Sequence, residues 1–111
     1  MIDWSRFDEL CEEVGSDAIE EVVELFLEEV EEVIARLRTG PDPTRLEEDL
    51  HFLKGSSLNL GFEAVSALCQ AGEKNAAEGR AESVDLAEII SAFESSKACF
   101  LDNLPRRLSA A

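Results

Sequence analysis

Apolar residues recur along this chain at three- and four-residue steps, the spacing that lines one face of an α-helix, with no sustained two-residue alternation of the kind that marks a strand. The pattern predicts a short first helix from about Ser5 to Glu13, starting near Trp4 or Ser5, with Phe7, Leu10 and Cys11 as its apolar contacts and Gly15 as its end. A long second helix follows, capped by Ser16 or Asp17 and running to about Arg38. Its Val23, Phe26, Leu27, Val30, Val33, Ile34 and Leu37 share a face, and the other face is nearly all glutamate. Arg36 and Arg38 suit the negative end of the helix dipole, and Gly40-Pro41 forces the stop.

Asp42-Pro43 reads as the cap and first residue of a third helix, with a stripe of Leu46, Leu50, Leu53, Ser57 and Leu60 that Gly61 ends or bends. A fourth helix begins near Phe62 and carries Ala64, Val65, Leu68, Cys69, Gly72 and Ala76 on one face before Gly79. Ser83 starts the last, whose Leu86, Ile89, Ile90, Phe93, Phe100, Leu101 and Leu104 form a stripe ending before Pro105. The expected architecture is all-α: an antiparallel up-and-down four-helix bundle with a short additional N-terminal helix. One domain spans 1–111, with its core at about 5–104 and a frayed tail at 105–111.

Composition agrees with one domain and narrows the partners. A chain of 111 residues, 45% of them apolar, has room for one core and can bury about two-thirds of its unfolded surface without staples. Asp and Glu total 25 against 10 Lys and Arg, and a net charge of -15 argues against nucleic acid and anionic membrane while favouring partners with basic docking surfaces. Cys11, Cys69 and Cys99 are odd in number and lack a C-x-x-C spacing, so neither a disulfide framework nor a zinc site is indicated. The start, Met1-Ile2-Asp3-Trp4, has no basic segment followed by an apolar stretch, and no run approaches the ~18 apolar residues that span a bilayer. A cytoplasmic monomer is expected.

The chain has one histidine, His51. On a wheel advancing about 100° per residue, the third helix's core stripe falls within about 40° of one direction and His51 about 140° away from it. Lys54, Gly55 and Leu58, three, four and seven residues on, share its outward side. Glycine inside a helix costs about 1 kcal/mol relative to alanine, so bare backbone one turn from His51 implies close approach by something else. Lys54 brings an ammonium to whatever the ring carries, a sensible arrangement for a phosphoryl group on an acidic protein. Phe52 and Leu58 lie off the core stripe and are candidates for a docking patch. A neutral imidazole is a good nucleophile near neutral pH, and one exposed ring suffices for accepting and releasing phosphate. Glu48-Asp49-Leu50-His51 also matches the Glu-x-x-His element of di-iron bundles, but such a centre needs two inward-facing copies. Ser56 and Ser57 are not neighbours of the ring on the wheel, so a hydrolase dyad is not indicated.

The run His51-Phe52-Leu53-Lys54-Gly55-Ser56-Ser57-Leu58-Asn59-Leu60-Gly61 resembles the signature of the histidine-containing phosphotransfer (HPt) domain family, approximately H-x-L-K-G-S-S-x-x-L-G. Similarity continues to Cys69 and Glu73, in the places of a C-x-x-L-E element, although Gly72 stands where that element has leucine. The resemblance implies that His51 accepts phosphate, Lys54 supports it, and Gly55 gives clearance for a receiver domain's aspartate. It also implies that Ser57 packs or hydrogen-bonds within the bundle and that Gly61 shapes the turn after the third helix. The partners implied are response-regulator receiver domains and a hybrid sensor kinase. The receiver would supply Mg²⁺, leaving this chain with no metal or other cofactor of its own and no ATP-dependent kinase activity. The competing expectation is a helical adaptor that binds receiver or kinase domains through the same face without being phosphorylated.

Overall fold

The structure, a computed structural model, describes residues 2–109. Five helices run α1 (Trp4–Val14), α2 (Ile19–Thr39), α3 (Leu46–Leu60), α4 (Glu63–Ala77) and α5 (Leu86–Ser109), with one 3₁₀ turn at Ala81–Ser83. Each of α2, α3, α4 and α5 packs on its chain neighbour, and α5 closes the ring against α2, giving the expected up-and-down bundle with α1 laid across α2 and α3. The molecule is elongated, 45 × 22 × 20 Å.

The predicted stripes make the core. Val23, Leu27, Val30, Val33, Ile34 and Leu37 of α2 are buried, as are Leu46, Leu50, Leu53, Ser57 and Leu60 of α3 and Val65, Cys69 and Gly72 of α4. Two stripe positions fall elsewhere: Ala64 is exposed, and Leu101 of α5 is 43% exposed. At one end an aromatic cluster fastens α1 to the bundle. Trp4 stacks on Phe100 at 5.6 Å, and Phe7 and Phe62 meet the same ring edge-on at 5.2 and 5.3 Å, geometries that suit the ring quadrupole.

Helix ends differ from the sequence reading because side-chain and backbone caps compete over one turn. α1 starts at Trp4, within the expected bounds, and Asp3 caps it by accepting the Arg6 N–H at 3.3 Å. Ser16 and Asp17 lie in a turn before α2, which begins without a side-chain cap. Asp42 is likewise spent on a turn: its Oδ1 accepts from the Thr44 N–H and hydroxyl at 2.9 and 2.7 Å, and regular helix starts only at Leu46. Those bonds, the hydroxyl's first, hold the Asp42 carboxyl below its ordinary range. Asp85, not Ser83, caps α5 through the Glu88 N–H at 3.0 Å, while the Ser83 hydroxyl donates to the Arg80 carbonyl.

The tail is a larger correction. Instead of ending before Pro105 and fraying, α5 continues through it to Ser109; residues 110 and 111 lie outside the described residues. Proline removes one N–H, the bond otherwise made to the Leu101 carbonyl, but Pro105 and Leu101 are both exposed, and on the solvent side of a helix such a loss is tolerated. The extra turn is anchored. The Arg107 guanidinium lies 4.7 Å over the Trp4 ring and 3.8 Å from Asp8, and Leu108 packs on the core.

The α3–α4 hairpin is the tightest junction. Gly61 takes φ +83°, the Gly61 N–H bonds to the Leu58 carbonyl at 3.1 Å, and the Phe62 N–H bonds to the Ser57 carbonyl at 2.8 Å, a paired closure that stops α3 and reverses the chain in one residue. The Asp3 N–H bonds to the Gly61 carbonyl at 2.7 Å, and a Cβ on Gly61 would stand 2.4 Å from the Asp3 carbonyl oxygen. Glycine is required there twice over, by conformation and by contact.

Candidate functional site

His51 lies in the second turn of α3 with its side chain 69% exposed, on the side opposite Leu50 and Leu53, which are fully buried. The outward placement expected from the wheel is therefore observed. Glu48 is also exposed, so the Glu-x-x-His element points away from the bundle interior. Asp49, between them, turns inward and is held by the Arg36 guanidinium of α2 at 2.8 Å.

Across the hairpin, α4 brings Glu73 to the histidine. Its Oε2 is 2.8 Å from His51 Nδ1, and its Oε1 is 2.8 Å from Lys54 Nζ. An ionised carboxylate only accepts, so Nδ1 carries the hydrogen and donates it, and the neutral ring keeps its lone pair on Nε2. Hydrogen bonding from Lys54, and secondarily from His51, holds the Glu73 carboxyl below its ordinary range despite the opposing effect of burial. One carboxylate thus orients both the ring and the ammonium. Thr44, Glu47 and Glu48 complete an open acidic cleft on the α3 N-terminal side of the ring.

Gly55, one turn beyond His51, is exposed, and a Cβ built on it would meet no atom within 4 Å. No packing among the described residues calls for glycine there, and its φ is not in the left-handed region. What its missing side chain leaves open is the outer surface beside the ring. Phe52 at 36% and Leu58 at 46% exposure are two of the four large apolar side chains most open to solvent, and both are on α3. Ser57 is 1% exposed and packs within the bundle, its hydroxyl without a hydrogen-bond partner among the described residues. The Ser66 hydroxyl donates to the Lys54 carbonyl at 3.3 Å, tying α4 to α3 beneath the site.

Gly72 is the departure from the motif, and the structure gives its reason. A Cβ there would lie 2.9 Å from Leu50 Cδ1 and 3.1 Å from Val84 Cγ1, so neighbours already occupy the space. Cys69, fully buried beside it, has its thiol pushed up to about 12 by burial, with the Glu73 charge adding to the rise, so it stays protonated.

Sequence reasoning placed Lys54, Gly55 and Leu58 on the outward side of α3 with His51, and Phe52 off the core stripe; in the structure His51, Phe52, Gly55 and Leu58 are exposed and Lys54 is half-buried against Glu73. It gave Glu73 no role. The signal was available: Gly61 turns the chain sharply, and His51 and Glu73 stand ten residues before it and twelve after it, hence at nearly the same height on paired antiparallel helices.

The fold and site together define a helical bundle with one oriented imidazole exposed at its surface. The sequence pattern of the Hpt domain family matches residues 21–110, most of the chain, and the protein belongs to that family. Hpt domains are helical phosphocarrier modules, not kinases, and serve histidine phosphotransfer in two-component phosphorelays with receiver domains and kinases. No curated protein and no solved structure gives a match. Among the described residues, no helix is long and apolar enough to cross a membrane.

Proposed function

We propose that this chain is a phosphorelay intermediate in which Nε2 of His51 accepts a phosphoryl group from a receiver-domain aspartate and passes it to another receiver. The Glu73 hydrogen bond at 2.8 Å carries the reading, since it fixes the tautomer that leaves a nucleophilic nitrogen at the exposed edge of the ring. The Nε2 lone pair attacks phosphorus in line, the N–P bond forms, and the bond from phosphorus to the aspartyl oxygen breaks, returning a carboxylate to the donor. No proton leaves the ring. Nδ1 keeps its hydrogen, the phosphorylated ring carries positive charge, and the Glu73 carboxylate offsets it. Reversal delivers the group to the next aspartate.

Lys54, one turn from His51, supports the phosphoryl oxygens, and Gly55 provides the clearance that lets an aspartate reach in-line distance. Phe52 and Leu58 give the receiver apolar contact beside the ring. Partners in this reading are response-regulator receivers and a hybrid sensor kinase in the cytoplasm. Mg²⁺ comes with the receiver, this chain works as a monomer, and it does not phosphorylate itself from ATP.

The test is to incubate the protein with a receiver domain phosphorylated on aspartate, in Mg²⁺, and follow label into this chain. Acid-labile label that disappears in His51→Gln is expected. Receivers that bind the wild-type protein without transferring label would replace the carrier with the unphosphorylated adaptor.

A further inference from the structure

Helix lengths leave part of the bundle uncovered. The hairpin helices α3 and α4 have 15 residues each, whereas α2 has 21 and α5 has 24, so the longer pair runs on past the hairpin turn. The short α1 covers one side of that extension through Phe7 and Trp4. The other side is an open groove of about 540 Å³. It is lined by Glu20, Val23, Glu24 and Leu27 of α2 and by Leu101, Leu104, Pro105 and Leu108 of α5.

Both walls follow the i, i+3, i+4, i+7 spacing of a helix face, and six of the eight residues are apolar. Leu101, which the periodicity puts in the core stripe, is 43% exposed here because nothing lies over it. The two polar residues are both carboxylates, both on the α2 wall, and neither has an ion-pair partner among the described residues. The nearby cations are engaged: Arg107 with Trp4 and Asp8, Arg106 with the Asn103 side chain. A second copy of this chain, with its net charge of -15, brings more carboxylates to that rim. A basic segment complements it.

We propose that the α2–α5 groove docks a short amphipathic helix of a partner protein, apolar toward Leu27, Leu101 and Leu104 and with lysine or arginine on the flank facing Glu20 and Glu24. Walls eight residues long, a rise of about 10 Å, accommodate about two helical turns. The groove is at the far end of α2 from the phosphate-accepting face. Arg36 pairs with Asp49 beside His51, and Glu24 is twelve residues, about 18 Å, down the same helix. A protein held in the groove leaves His51 open to a receiver, so the carrier can be tethered and still exchange phosphate.

The probe is a synthetic helical peptide with leucines at i, i+3, i+4 and i+7 and lysines on one flank, titrated into the ¹⁵N-labelled full chain. Amide shifts confined to residues 20–27 and 101–108 are expected, with affinity at least tenfold weaker in Leu101→Glu and in Glu24→Lys and unchanged in His51→Gln. Both altered side chains are solvent-facing, and Glu24→Lys keeps the test intact if Leu101→Glu perturbs the fold. Shifts centred on His51, or spread along the outer carboxylates of α2 with full affinity in Leu101→Glu, would overturn the proposal. So would a concentration-dependent dimer of the free protein, seen by sedimentation, that Leu101→Glu abolishes, because the occupant would then be a second copy.

Discussion

The α3–α4 hairpin and the extended α2–α5 pair are both amphipathic helix pairs, yet they expose themselves in opposite ways. Around His51 the polar side chains are committed to one another through Glu73, and openness comes from a missing side chain at Gly55, where an added Cβ would meet no packed neighbour among the described residues. In the α2–α5 groove the openness comes from side chains that are present, such as Leu101, with no helix above them. The first is an opening left by an absent side chain beside paired polar groups; the second is apolar area with no helix over it. Exposure alone does not distinguish these cases, whereas the identity of the exposed atoms does.

Filling the first kind of opening should have the largest effect. Gly55→Gln places bulk where a receiver must approach, and because a misplacement of about 1 Å costs on the order of a hundredfold in rate, transfer should fall by about that factor. The fold should gain up to about 1 kcal/mol, since glycine leaves a helix interior at a site with room for a side chain. Stopped-flow transfer together with denaturant melts checks both signs; equal losses in rate and stability would mean that the glycine is a packing residue.

Breaking the polar commitment comes next. In Glu73→Ala neither the tautomer of His51 nor the charged ring is supported, and transfer should slow by about tenfold or more with little change in receiver binding. Unchanged rates would leave the 2.8 Å contact without a part in the chemistry. Restoring the motif's leucine at Gly72 should do the reverse: overpacking against Leu50 and Val84 costs about 1–3 kcal/mol, read as a lower denaturant midpoint, while residual folded protein still accepts phosphate on His51.

The smallest effect is electrostatic. Because the folded Glu73 carboxyl titrates below its ordinary value, its stabilising contribution is complete above the ordinary carboxylate range and is lost as pH falls through the lowered folded value. A ¹³C titration of the Glu73 carboxyl should show it protonating below the ordinary glutamate range. Lys54→Ala should move its midpoint back toward the ordinary value more than His51→Gln does, following the order of their hydrogen-bonding contributions.

Much of this was legible in the sequence. Periodicity located all five helices and most core positions, because burial of an apolar stripe is what stabilises helices of this length. The outward face of His51 followed from the same wheel. What the sequence left hidden depended on partners brought from elsewhere in the chain. Pro105 looks like a stop until Trp4 and Asp8 hold Arg107 beyond it, and Leu101 looks like core until the lengths of α3 and α4 are known. Ser16, Asp42 and Ser83 looked like caps because each can make one, but local turns claimed all three regions.

The one-residue reversal at Gly61 bears on the order in which the molecule assembles. His51 and Glu73 are 22 residues apart in sequence, and nearly all of the chain between them is helix, so their meeting requires closure of a single short, stiff hairpin rather than a long loop. Contacts of such low sequence separation carry little loop-closure entropy, while α1 and the last turns of α5 depend on contacts that join the two ends of the chain. The His51–Glu73 couple is therefore held within a single hairpin and draws on neither end of the chain for its pairing.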